Sequence, residues 1–239
     1  MAWAPWAILA ASAVVAPVLL FITAPYGRYF RPGFGPSVPA RLGWVVMESP
    51  SLLLFGFALS QNPFVSEPSV GLMGALWLVH YFQRTAIFPL LMRGEGKRQP
   101  WLTFLLAIAF NTVNAWSNAG ALAPRPFDAR FGAGTALFVL GFAINLHSDA
   151  VLRALRPEGQ SGYFIPRAGL FRWVSAANYF GELLEWVGFA IAAWTLPALA
   201  FAVFTAANLA PRAWAHHKWY QRTFADYPTT RRALVPFVL

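Results

Sequence analysis

Asn178, Glu182 and Glu185 lie at i, i+4 and i+7 inside one apolar stretch, so on a helix an amide and two carboxylates share a face. The surrounding residues are apolar enough to cross a bilayer, where an ionisable group costs at least a few kcal/mol unless it meets a partner or water. That face must look inward, at something polar. Similar groups recur along the chain: Glu48; His80, Tyr81 and Arg84; Asn111, Asn114 and Asn118 at i, i+3 and i+7; and Asn145, His147, Ser148 and Asp149. Interhelical hydrogen bonds of ~0.6 kcal/mol each would account for an asparagine row alone. So many charges at depth exceed what packing asks for.

Membrane helices must hold these groups. The chain is 58% hydrophobic and 11% charged, the balance of a polytopic membrane protein, and it reads as one unit over residues 1–239. Seven apolar segments stand out, 3–24, 41–60, 70–92, 101–121, 131–152, 171–194 and 196–211, each near the ~20 residues a span requires. Lys and Arg follow the first, third and fifth segments and fill the tail from Arg212, Arg125 and Arg130 follow the fourth, and the gaps after the second and sixth have none. The positive-inside bias then places the amino terminus outside and the carboxyl terminus in the cytoplasm. The expected fold is an all-α membrane protein with seven transmembrane helices. The first segment lacks a basic n-region and runs into Pro25-Tyr26-Gly27-Arg28, so it reads as a span and not as a removable signal.

Composition and spacing exclude several classes. The net charge of +9 is explained by orientation in the membrane, which argues against nucleic-acid binding. With no cysteine there are no disulfides or thiolate metal sites. His216 and His217 are adjacent and diverge on a helix, so no metal site is expected; His147-Ser148-Asp149 fails as a catalytic triad for the same reason. Gly132-Ala133-Gly134 lacks the third glycine and the preceding strand of a dinucleotide fingerprint. There remains a cluster of bases on the cytoplasmic side, Arg93, Arg98, Arg153, Arg156, Arg212, His216 and Lys218, suited to phosphates or to anionic lipid. On chemistry alone two classes stand open: a membrane enzyme using a phosphorylated cofactor, and a transporter with midplane carboxylates.

The same residues resemble the steroid 5α-reductase family over nearly the full length. The densest parts are Asn145 to Arg156, Tyr163 to Phe171, Asn178 to Trp186, Leu196 to Phe201, and the tail from His217 to Pro228 with Pro236-Phe237; thinner matches are Tyr26-Gly27-Arg28, Trp44 to Ser51 and His80 to Thr85. The resemblance implies seven membrane helices around NADPH and reduction of the carbon–carbon double bond of a 3-oxo-Δ4 steroid of the testosterone or progesterone type. It implies that Glu48 and Tyr81 are the catalytic donor pair on the 3-ketone while hydride goes to C5. A carboxyl in apolar surroundings can stay neutral and donate, as one does beside a tyrosine in the oxyanion hole of a soluble ketosteroid isomerase. The resemblance further implies cofactor contacts at Tyr26, Arg84, Arg93, Asn145, Asp149, Arg156, Tyr163, Asn178, Glu182, Arg212, His216 and Tyr220, and a substrate slot at Trp44, Met47, Tyr179 and Trp186. The expected setting is a lipid bilayer, as a monomer, in a bacterial inner membrane or, in a eukaryote, the endoplasmic reticulum.

Two positions depart from the family pattern. Met47 stands where mammalian members carry a glutamine beside the catalytic glutamate, and Phe164 replaces an arginine expected near the cofactor. The turn Arg93-Gly94-Glu95-Gly96-Lys97-Arg98 is longer than the family's short form. Reductases of polyprenols or enoyl thioesters share parts of the carboxyl-terminal pattern, so another lipid enone is the alternative substrate.

Overall fold

The computed structural model describes residues 2–31, 33–93, 96–156 and 162–238; Gly94 and Glu95 of the basic turn lie outside the described residues. The chain is mostly helical, with α1 Ala4–Phe21, α2 Ala40–Ser60, α3 Pro68–Phe82, α4 Phe88–Leu91, α5 Trp101–Ala121, α6 Ala129–Ala154, α7 Ala177–Ala193 and α8 Leu196–Thr223. Four of these, α1, α2, α6 and α8, are long and apolar enough to cross a membrane, which marks an integral membrane protein.

Local chemistry sets the helix boundaries. Pro68 opens α3 and Pro197 lies in the first turn of α8, positions where a missing N–H costs nothing. Asp128 caps α6 by accepting from the Phe131 amide, and Thr195 caps α8 by accepting from Ala198. The apolar segment ending near 92 is not one regular helix. Pro89 cannot donate to the Thr85 carbonyl, and the backbone widens into a π turn over Gln83–Ile87 before α4 resumes. The segment at 171–194 is also shorter than its apolar run: Gly169–Arg172 form a 3-10 turn and the helix starts at Ala177. By contrast α8 runs on to Thr223, well past the apolar limit at 211.

A short ribbon and an isolated bridge between Val174 and Arg232 depart from an all-helical reading among the described residues. β1 Ser37–Pro39 pairs antiparallel with β2 Arg98–Pro100, with Val38 opposite Gln99. This ribbon brings the start of α2 and the start of α5 side by side.

The tightest packing joins α6 to α7. Gly134 and Gly141 face Gly188 and Gly181, and a Cβ built at any of the four would fall under 3.0 Å from the backbone of the opposite helix. Small residues at such a seam let two backbones approach where lipid supplies no hydrophobic drive between helices. Around the seam sits an aromatic core: Phe55 stacks on Trp77 at 4.4 Å, and Trp186 packs on Trp77, Phe189 and Phe201. The carboxyl end of α7 is closed by two arginines. Arg125 donates to the carbonyls of Ala193 and Trp194, and Arg130 to those of Ile191 and Ala192. Their charges complement the negative end of the helix dipole.

Candidate active site

The π turn carries the centre of the site, because it holds Arg84 where three helices converge. The Arg84 guanidinium reaches Asp149 on α6 at 3.4 Å and Glu182 on α7 at 3.7 Å, and lies over the rings of Trp44 and Phe88. Asp149 Oδ1 accepts from Asn178 Nδ2 at 3.1 Å, and Asn145 donates to the Asn178 carbonyl at 2.9 Å. Five expected cofactor residues, Arg84, Asn145, Asp149, Asn178 and Glu182, thus form one network. The helical spacing of Asn178 and Glu182 does point inward, Asn178 meeting Asp149 and Glu182 meeting Arg84.

Glu48 approaches from α2. Among the described residues its carboxyl has no cation within ion-pair distance, and its partner is the Asn111 side-chain amide at 3.4 Å. Tyr81 is buried one turn ahead of Arg84, edge-on to His80 and tilted against Trp77 and Trp186. Met47 accepts at Sδ from Gln99 at 3.2 Å. Trp44 keeps a buried indole N–H with no partner among the described residues. Trp186 is placed within the aromatic core, only 1% exposed.

A second group lies toward the loops that carry the basic residues. Arg212 on α8 sits over the rings of Tyr26 and Tyr179 and donates to the Tyr179 hydroxyl at 2.7 Å. His216 is held between Tyr29 and Tyr179, with Nδ1 3.0 Å and Nε2 3.2 Å from their hydroxyls. Burial pushes the Tyr26 hydroxyl up to about 12, against the pull of Arg212. Tyr29 is likewise pushed up to about 12 by burial.

The third group is an arginine–aromatic box. Arg28 stacks at 4.5–4.8 Å on Tyr163, Trp219 and Tyr220, and Arg156 also lies over Tyr163. Arg93 donates to the Arg156 carbonyl at 2.9 Å. Lys97 sits beside them, held down to about 8 by burial and by the Arg156 charge. Arg98 is tied to Ser37 in the ribbon.

Sequence reasoning left several neighbours without a role. Arg28, Tyr29 and Trp219 join residues from segments more than 100 positions apart, as with Tyr29 and His216, and no local spacing announces such a meeting. Glu185 pairs with His80 at 2.6 Å, both buried, and so braces α7 against α3. Asn111 was visible as one of a row, but the row divides: Asn118 donates to Asn114, and Asn111 turns to α2. Among the described residues, no group of three His, Asp or Glu could hold a metal ion.

These arrangements define a helical membrane protein with a charged, hydrogen-bonding site sunk between its helices. The family model for 3-oxo-5-alpha-steroid 4-dehydrogenase matches residues 97–239. The 3-oxo-5-alpha-steroid 4-dehydrogenase 1 of Bos taurus is 46% identical over 239 residues, 95% of this chain and 92% of that protein. The Homo sapiens protein of the same name is 44% identical, covering 89% of this chain and 85% of its own length. A steroid 5-alpha-reductase of Gossypium hirsutum is 39% identical over 92% of this chain and 90% of its own. The chain belongs to the 3-oxo-5-alpha-steroid 4-dehydrogenase family, whose members are oxidoreductases acting on CH–CH groups.

Proposed function

We propose that the protein reduces the Δ4 double bond of a 3-oxo-Δ4 steroid with NADPH, in a seven-helix unit with its carboxyl terminus in the cytoplasm. The residues present fit that cofactor. Among the described residues Asn145 Oδ1 is a buried acceptor without a partner, suited to a carboxamide N–H, and buried N–H groups of Arg28 and Arg153 also lack partners there. Asn178, Glu182 and Asn145 would hold the nicotinamide and its ribose. Tyr26, Arg212, His216 and Tyr220 would line the path outward, and Arg93, Arg156 and Tyr163 would take the phosphates and the outer ribose. When bound, NADPH would supply the hydride that ends on C5, and the enolate left behind would take a proton at C4 from water to complete the reduction.

The chain's own work is electrostatic. Glu48 in its neutral form and Tyr81 donate to the 3-ketone oxygen and stabilise the negative charge that develops there. Trp44, Met47, Tyr179 and Trp186 bound the apolar slot for the rings. The observation that carries this reading is the contrast among the acids, since Arg84 engages Asp149 and Glu182 while, among the described residues, Glu48 keeps only an amide partner. A neutral donor is the role left to it.

The test is steroid-dependent NADPH oxidation by the purified protein in detergent, with progesterone and testosterone as substrates and an enoyl thioester and a polyprenol for comparison. Glu48→Gln is expected to bind NADPH as before and to lose ~10²-fold or more in kcat. Full turnover in that variant, or NADPH oxidation only with the thioester or polyprenol, would refute the assignment.

A further inference from the structure

The Asn111 amide makes two contacts through one nitrogen. Nδ2 donates to the Met47 main-chain carbonyl at 2.6 Å and to Glu48 Oε2 at 3.4 Å. A carbonyl can only accept, so the first bond fixes which way the amide faces: NH2 toward α2, oxygen away. The second N–H then has to point at the Glu48 carboxyl. Asn111 is buried, 7% exposed, and its helix begins right after Pro100 in the ribbon. Gln99, just before that proline, is also buried and holds Met47 by its sulfur from the other side. The Gln99 side chain is itself wedged against Gly43, where a Cβ would come within 3.2 Å of its Oε1. Ribbon and α5 together clamp the Met47–Glu48 step of α2.

This clamp bears on a neutral carboxyl in a specific way. A protonated carboxyl has one carbonyl-type oxygen that accepts and one hydroxyl that donates. An amide N–H aimed at Oε2 favours Oε2 as the acceptor and leaves the proton on Oε1. We infer that Asn111 is a positioning residue: it selects the oxygen of Glu48 that carries the proton and so aims the acid at the substrate ketone. The inference rests on the reading of Glu48 as the donating acid. Asn111 itself touches neither substrate nor cofactor in this scheme. Asn118 instead donates to Asn114 along the same helix, and among the described residues neither makes a hydrogen bond to Glu48.

The experiment compares Asn111→Leu and the isosteric Asn111→Asp with the unsubstituted protein and with Glu48→Gln. Loss of the N–H donor is expected to lower kcat by about 10-fold or more while KM for NADPH and for progesterone each stay within about three-fold, because aim and not binding is lost. Infrared difference spectra supply an independent readout. The carboxyl C=O stretch that disappears in Glu48→Gln should lie at a hydrogen-bonded frequency in the unsubstituted protein and move up in Asn111→Leu. Should Asn111→Leu fail to fold, the band of the unsubstituted protein decides alone, and a frequency typical of a free carbonyl overturns the inference. Unchanged kcat or an unmoved band in a folded Asn111→Leu overturns it as well. Full turnover in Glu48→Gln would instead remove the role of Glu48 itself, so the two failures are told apart.

Discussion

Replacing Glu185 by alanine examines the join between the helix that carries Tyr81 and the helix that carries Asn178 and Glu182. Glu185 Oε1 and His80 Nδ1 are 2.6 Å apart, with the residues 0% and 3% exposed. The His80 ring also stands edge-on to Tyr81 at 4.9 Å and to Trp186 at 4.6 Å. Truncation strands a buried imidazole N, costing ~1–3 kcal/mol, and removes one packed methylene at ~0.8 kcal/mol together with the carboxyl, plus the cavity left behind. Part is offset, because among the described residues Glu185 Oε2 has no partner and its removal relieves that cost. A net loss of ~3 kcal/mol lowers Tm by roughly 6–12 °C for a chain of this size. Tryptophan fluorescence on heating in detergent reports it directly, since Trp77 and Trp186 flank the pair. The double variant His80→Ala with Glu185→Ala should show a coupling of ~0.5–3 kcal/mol between the two sites. A Tm within ~2 °C of the parent for Glu185→Ala, together with zero coupling, would refute the claim that this bond ties α3 to α7.

Two further outcomes follow from the packing and the charges. Gly141→Leu is expected to abolish the folded state, because its Cβ would fall on the Glu185 backbone across the seam; gel filtration of the expressed protein checks it, and a monodisperse, active variant would contradict the close approach. Lys97 is held down to about 8 from its ordinary 10.5, so the folded protein loses this proton before the unfolded chain does. Stability then rises between about pH 8 and 10.5 as the buried charge is relieved, while affinity for a phosphate-bearing cofactor falls as the cation disappears. NADPH titrations from pH 7 to 9 should show that fall, and Lys97→Gln should flatten it.

How much of this was legible in the sequence depended on whether the signal was local. The inward faces of α6 and α7 were readable because Asn145 and Asp149, and Asn178 and Glu182, repeat at helical spacing and their partners lie on neighbouring helices. Glu185 carried the same periodicity yet stayed ambiguous, since the residue that decides its role, His80, lies 105 positions away. The π turn was hidden for a different reason. Pro89 signals a disturbance, but spacing alone does not tell a widened turn from a kink, and it is the widening that sets the angle of Arg84. The asparagine row shows the limit of periodicity most plainly: three equivalent positions on one face, of which one serves the acid and two serve each other. Met47 looked like a lost support for Glu48, and only the ribbon, too short to be announced by three residues of sequence, reveals Gln99 and Asn111 at that step.

The glycine seam between α6 and α7 gives the site a fixed wall. Asn145, Asp149, Asn178 and Glu182 all stand on two helices whose backbones touch, so they keep their mutual distances as marks on a ruler do. Glu48 stands opposite on α2, a helix that runs on through Pro50 and is gripped at Met47 by Gln99 and Asn111. The two walls are thus held by different means, one by touching backbones and the other by side-chain hydrogen bonds.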